Sequence, residues 1–186
     1  MRAAGVRDGE WSMQVGQRQD YVEFVTAMTP KLRRTAYLLT GGDAHRADDV
    51  VQQTLTKLYV KWSRVRAADD IGAYVHRMLV NAFRQERRSR WFGVQLFDRA
   101  PEPEVRGGPP GPAESVVDSV AVRAALAQVP AGQRVVLVLR FYADLSVEQT
   151  AEVLGCSTGN VKSQTARGLA ALRRRLPLGD ATEVNR

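Results

Sequence analysis

Near the middle of the chain the stretch FDRAPEPEVRGGPPGPAES, Phe97 to Ser115, gathers five of the eight prolines, several glycines and almost no large apolar side chains. Proline removes a backbone donor and fixes φ, and glycine brings no side chain to bury, so this stretch cannot build a packed core. It divides the 186 residues into two halves that form separate small domains. The expected plan is a polar, aperiodic and disordered leader at 1–19, a first domain at 20–95, a linker at 96–115, a second domain at 116–177 and a tail at 178–186.

Both halves carry helical periodicity. From Tyr21 onward, Phe24, Met28, Leu32, Ala36 and Leu39 share one helix face, with Pro30 inside the run, which allows a kink or two helices. Gly41-Gly42-Asp43 breaks the pattern. A second helix is expected from about Arg46 to Trp62 with Ala47, Val51, Leu55, Leu58 and Trp62 inward. A third begins near Asp70, turns Ile71, Tyr74, Val75, Met78, Leu79, Ala82 and Phe83 inward, and ends in RQERRSRW. Beyond the linker a helical segment resumes near Val116 with Val120, Ala124 and Leu126, and Pro130 interrupts it. The run RVVLVLRFY is β-branched enough for a strand, but its helical neighbours favour a buried helix. The fold class is all-α: two small helical domains joined by a flexible Pro/Gly-rich linker.

The segment LSVEQTAEVLGCSTGNVKSQTARGLAALRRRL, Leu145 to Leu176, has the pattern of a helix-turn-helix. Ser146 and Gln149 form a capping box, Ala151 and Leu154 turn inward, and Gly155 permits the stop. Ser157 or Thr158 caps a second helix whose apolar line is Val161, Thr165, Leu169, Leu172 and Leu176. Asn160, Lys162, Ser163, Gln164 and Arg167 fall largely off that line. Amides and cations on one helix face suit base edges and phosphates in a DNA major groove, although a solvated helix hairpin shows a similar pattern. From Lys162 to Arg175 there are five basic residues and no acidic one, which tilts the reading toward a phosphate-rich partner.

Charge and composition narrow the classes. Twenty-seven Lys and Arg against 20 Asp and Glu give a net charge of +7, which favours a polyanion, either nucleic acid or an anionic surface. No apolar run approaches the roughly 20 residues of a membrane span, and the first residues lack the apolar core of a signal peptide. The single cysteine, Cys156, excludes an internal disulfide, fits a reducing cytoplasm and reads as a small apolar plug in the turn. His45 and His76 have no ligand partners at metal spacing, so they read as surface or packing residues. No nucleotide loop or nucleophile elbow is present, and no catalytic set, metal or cofactor is expected.

A second basic patch follows the third helix: Arg77, Arg84, Arg87, Arg88 and Arg90, interleaved with Tyr74, Phe83, Trp91 and Phe92. Cations beside aromatic rings suit single-stranded DNA, although Tyr74 and Phe83 belong more naturally to the core. Two tethered DNA-binding modules gain avidity when both sites lie on one nucleic acid within reach.

The segments AHRADDVVQQTLTKLYVKW and DIGAYVHRMLVNAFRQERR resemble the first conserved domain (region 2) of bacterial RNA polymerase sigma factors of the extracytoplasmic-function group, within the sigma-70 family. LAQVPAGQRVVLVLRFYADLSVEQTAEVLGCSTGNVKSQTARGLAALRRRL resembles their region 4, in the expected order and after a linker. The resemblance covers about residues 20–95 and 116–176. It implies a non-enzymatic specificity subunit in the cytoplasm that recruits core RNA polymerase to promoters and helps melt them.

It further implies that Asp49, Gln52 and Gln53 dock on the clamp coiled coil of the polymerase, with Gln53 standing where the family usually carries an acid. The loop from Ser63 to Asp70, Val65 included, and Asn81 are expected at the pocket for a flipped-out −10 base on the non-template strand. Arg77, Arg84, Arg87 and Arg88 are expected on the strand's backbone. Asn160, Lys162, Ser163, Gln164 and Arg167 are expected on duplex −35 DNA. Lys162 stands where Arg is frequent and Ala166 where a larger residue contacts bases, so the specificity is expected to be relaxed or shifted. Arg173, Arg174 and Arg175 are candidates for phosphates or the polymerase flap. The acidic linker residues Asp98, Glu102, Glu104 and Glu114 suggest a nucleic-acid mimic, diluted by Arg99 and Arg106. The implied partners are core RNA polymerase, promoter DNA as duplex and single strand, and an anti-sigma factor, with no membrane. Two other readings compete: a stand-alone helix-turn-helix regulator, which needs a dimer surface or sensing domain, and a DNA-acting enzyme, which needs a catalytic set.

Overall fold

The computed structural model describes residues 15–97 and 120–176, so the leader up to residue 14, the linker from 98 and the tail at 178–186 lie outside the described residues. Among the described residues seven α-helices follow one another: α1 Val15–Thr40, α2 Ala44–Val65, α3 Ile71–Phe97, α4 Val120–Ala127, α5 Ala131–Leu137, α6 Val147–Leu154 and α7 Thr158–Arg173. Among the described residues there is no strand, and the β-branched run RVVLVLRFY is α5 continued by a π-helical turn over Val138–Tyr142. Val135 to Leu139 are all buried there. Burial of five successive residues on a helix explains why Val135–Leu139 shows no polar face and looks strand-like.

The first helix starts at Val15, inside the stretch read as a leader, and passes Pro30 without splitting. Two contacts explain both. Tyr21 packs edge-on against Tyr59 and Trp62, with centroids 5.3 and 5.5 Å away, and its hydroxyl donates to the Leu55 carbonyl. With these turns anchored, extending the helix outward costs little. On the far side of Pro30, Leu32, Ala36 and Leu39 are completely buried. Packing on both sides of the proline offsets the roughly 3 kcal/mol it costs inside a helix.

Helix α2 begins at Ala44 because the Asp43 side chain accepts from the Arg46 amide. Its inward face is Ala47, Val50, Val51, Leu58, Trp62 and Val65, and α3 contributes Val75, Met78, Leu79, Val80, Ala82 and Phe83. Arg46 spans to Glu86 through two short hydrogen bonds, 2.9 and 2.8 Å, and this half-buried pair fastens α2 to α3. The same hydrogen bonds hold the Arg46 guanidinium above its usual pKa despite its burial.

In the second half, Ser146 and Gln149 form the expected capping box, and Gly155 ends α6 at φ 64°. Ser157, rather than Thr158, caps α7 by accepting from the Asn160 amide. Cys156 sits in the turn against Val136, Ala151 and Val161 as an apolar plug. Val120, expected inward, is 74% exposed at the start of α4, where Ala125 and Leu126 carry the burial instead.

The two halves, whose arrangement the linker leaves open in the sequence, share a core. Leu38 and Leu39 of α1, Val80 of α3, Leu126 of α4, Val138 of the π turn and Val153 of α6 belong to one contiguous apolar cluster. The seam runs along α1 against α4 and the π turn, and along α3 against α6.

Candidate nucleic-acid and polymerase interfaces

Asp49, Gln52 and Gln53 are exposed along one face of α2, while Val50, Val51 and Thr54 between them are buried. The spacing i, i+3, i+4 on an amphipathic helix brings the three polar side chains together and aims them away from the core. A carboxylate and two amides so placed can accept from, and donate to, a basic polar helix. Neighbouring Asp48 is already engaged by Arg33 at 2.9 Å.

On α3, Arg77, Asn81, Arg84 and Arg88 are all exposed, and their spacing of four, three and four residues lines them along one face. Arg87 is also exposed, with its guanidinium 6.0 Å from the Phe83 ring centroid. Phe83 itself is 1% exposed and serves the core, as does Val75. Val65 departs from expectation. It is completely buried at the end of α2, where it closes the core, so it offers no surface to a base. The loop that follows it does have a recess. Ala67, Ala68, Asp69 and Asp70, with Ala73, Tyr74 and Arg77 of α3, line a hollow of about 350 Å³. Asp70 shapes it by capping α3, accepting from the Ala73 amide at 2.8 Å. Asn81 lies one helical turn beyond Arg77 and does not line this hollow.

Helix α7 carries Asn160, Lys162, Ser163 and Arg167 exposed and Gln164 partly exposed, above a buried line of Val161, Gly168 and Ala171. Gly168 is required by close packing: a β-carbon there would lie 3.0 Å from both Cγ and Cδ1 of Leu137. This tight crossing on α5 fixes which face of α7 is presented.

Docking of the two halves brings some of these groups together. Arg84 and Arg87 line a cleft of about 200 Å³ with Asn160 and Gln164. The recess at Ala67–Asp70 has a second wall made of Glu152 and Val153 from α6. Gln149 Nε2 donates to Asp70 Oδ2 at 2.9 Å, and Arg84 donates to the Leu154 carbonyl at 3.3 Å. At the far end of the seam Arg134 donates to the Ala127 carbonyl at 2.6 Å, while its Nε is buried with no hydrogen-bond partner. Burial, and then the charges of Arg87 and Arg46, pull its pKa down to about 10. That these residues meet at a seam escaped the sequence analysis, because no periodicity reports which surfaces of two tethered domains meet. Among the described residues no group of three or more His, Cys, Asp or Glu could hold a metal, and no helix is long and apolar enough to cross a membrane.

Comparison with known proteins agrees with this layout. The family models "Sigma-70 region 2" and "Sigma-70, region 4" match residues 24–92 and 119–172. The RNA polymerase sigma-E factor of Streptomyces coelicolor is 31% identical over 170 residues, covering 89% of this chain and 91% of that protein. The ECF RNA polymerase sigma factor SigL of Mycobacterium tuberculosis is 34% identical over 148 residues, covering 76% of this chain and 80% of its own. Among solved structures, the sigma factor RpoE of Bartonella quintana, in complex with the anti-sigma factor NepR, superposes with a TM-score of 0.77 at 27% identity, covering 87% of this chain and 99% of that one. CnrH, in complex with the cytosolic domain of CnrY, shares the fold at 21% identity and a TM-score of 0.56. With both conserved regions present in order and relatives matched over most of their length, the chain belongs to the sigma-70 family, in its extracytoplasmic-function group: it is a sigma factor, which directs RNA polymerase to promoters.

Proposed function

We propose that this sigma factor divides its task among three surfaces. Asp49, Gln52 and Gln53 on the outward face of α2 dock on the clamp coiled coil of core polymerase. The Ala67–Asp70 recess, with Arg77, Asn81, Arg84, Arg87 and Arg88 beside it, takes the −10 element as a single strand. The loop accepts an unstacked base, and the arginines hold the backbone. Asn160, Lys162, Ser163, Gln164 and Arg167 on α7 read the −35 element as duplex, and Arg173, Arg174 and Arg175 reach phosphates or the polymerase flap. The chain acts in the cytoplasm and contributes no catalysis of its own. As in the Bartonella relative, an anti-sigma factor is a partner.

The observation that carries this reading is the separation of faces: every polar side chain assigned to polymerase or DNA is exposed or partly exposed, above helix faces that are buried. Run-off transcription with purified core polymerase on a pool of genomic promoter fragments tests it. Discrete new start sites are expected. Changing Asp49 and Gln52 together to alanine abolishes them while leaving helix content intact. Tight DNA binding without start sites would favour the stand-alone regulator instead.

A further inference from the structure

The cleft of about 200 Å³ that Arg84 and Arg87 share with Asn160 and Gln164 has the make-up of a small-molecule site. The two arginines, at i and i+3, stand on α3, and the two amides, at i and i+4, stand on α7. Between these walls the floor is apolar, with Val135 and Val136 of α5 and Leu154 of α6. Among the described residues no acidic side chain lines the cleft. The polar groups around it are largely unengaged. Asn160 uses its backbone amide, not its side chain, in the Ser157 cap, and among the described residues the side chain of Gln164 has no hydrogen-bond partner. Arg84 gives one long bond, 3.3 Å, to the Leu154 carbonyl, and Arg87 only faces the Phe83 ring at 6.0 Å. Positive charge is in excess here: Arg134, next to Val135 in α5, has its pKa drawn down to about 10 by burial and then by Arg87 and Arg46.

We propose that this cleft binds a mononucleotide, a flat heterocycle carrying one phosphate monoester. The volume is below the roughly 300–1,000 Å³ of drug-sized pockets and leaves room for one nucleobase on the apolar floor. Amides both donate and accept, so Asn160 and Gln164 match the mixed edge of a base. Guanidinium groups hold phosphate oxygens through paired, charge-assisted bonds, which places the phosphate on the α3 wall. A cationic ligand has no counter-charge in the lining, and a purely apolar one would leave two arginines and two amides unpaired. The same four residues are assigned above to promoter DNA. The site stands without that assignment; competition between a bound nucleotide and promoter DNA rests on it.

Equilibrium dialysis of the full chain against labelled adenosine 5′-monophosphate, and separately against the guanosine, cytidine and uridine monophosphates, tests the site. One molecule per chain is expected for at least one of the four. Changing Arg84→Gln and Arg87→Gln together is expected to weaken it at least tenfold with helix content intact in circular dichroism, because both side chains are exposed. Asn160→Ala, on the opposite wall, is expected to weaken it at least threefold and to alter the preference among bases, and it serves should the double variant lose helix content. The single cysteine, Cys156, lies in the lining, so its rate of reaction with a thiol reagent reports where the ligand sits. The nucleotide should slow that reaction at least threefold, and inorganic phosphate or the nucleoside alone at the same concentration should not. No binding of any of the four, equal protection by inorganic phosphate, or unchanged binding in both folded variants overturns the proposal. Binding that leaves the affinity for promoter strands untouched supports the site and counts instead against assigning these four residues to DNA.

Discussion

His76 is a small case of a residue whose surroundings dictate its chemistry. It is 2% exposed, and its Nδ1 lies 2.8 Å from the Gly72 carbonyl. A carbonyl only accepts, so Nδ1 carries the hydrogen and Nε2 is a bare, buried acceptor without a partner. Burial is the main force lowering its pKa below the ordinary 6.5. Lys31 adds to the lowering, while the Gly72 bond and Asp70 oppose it. Between the folded and unfolded pKa values the unfolded chain binds more protons, so stability must rise with pH in that window. The contribution of neutral His76 is complete above about pH 6.5 and is lost as the pH falls below it. Urea midpoints at pH 7.5 and 5.5 should therefore differ in favour of the higher pH, and His76→Gln should reduce that difference. Gly41 is the second residue whose role is set by position. Its φ is +78°, and an added β-carbon would sit 3.1 Å from Nη1 of Arg134. Gly41→Ala should cost about 1–2 kcal/mol from the left-handed backbone alone, read as a lower urea midpoint. The sequence showed a break at Gly41-Gly42-Asp43. That an arginine from the other half would close over it was not legible, because the contact crosses the linker.

At the scale of the element, each helix is specified mostly by its own residues. The start and stop of α6 were legible from Ser146, Gln149 and Gly155, and the start of α7 from Ser157 or Thr158, because capping acts within four residues. Ser146→Ala should lower stability by about 1 kcal/mol, measured by urea unfolding, through loss of its bond to the Gln149 amide. What local rules miss is the second buried face. Leu38 and Val80 lie off the stripes that periodicity marks, yet they are 6% and 0% exposed. They are buried because their helices take part in a core shared across the seam. Gly168 shows the same limit from the other side: in the sequence it is an unremarked glycine within a helix, and in the fold it is where α7 touches Leu137. Gly168→Val should overpack that crossing and cost about 1–3 kcal/mol, visible as a lower melting temperature and a disturbed α7.

For the whole molecule, the net charge of +7 and the position of the cations decide how it meets DNA. Lys162 and Arg167 are exposed on α7, whereas Arg84 and Arg87 share a cleft with Asn160 and Gln164 of α7. Binding of the complete polymerase to promoter duplex should weaken steeply with salt. Lys162→Ala should lower the slope of log affinity against log salt by about 0.9 if that lysine holds one phosphate. A fluorescence titration at several potassium chloride concentrations measures it.

Composition, helical period and capping chemistry were enough to define two helical halves, the helix-turn-helix and its cationic face, since each depends on residues a few positions apart. Asp49, Gln52 and Gln53 were singled out by the family resemblance, and they share one helix face because i, i+3 and i+4 lie on one side of any helix. The start of α1 at Val15, the burial of Val65 and the placing of α6 beside the Ala67–Asp70 recess were settled by packing between distant segments. Contacts across a linker leave no period in the chain: they arise from the shapes of two finished surfaces, and those exist only once both halves have folded.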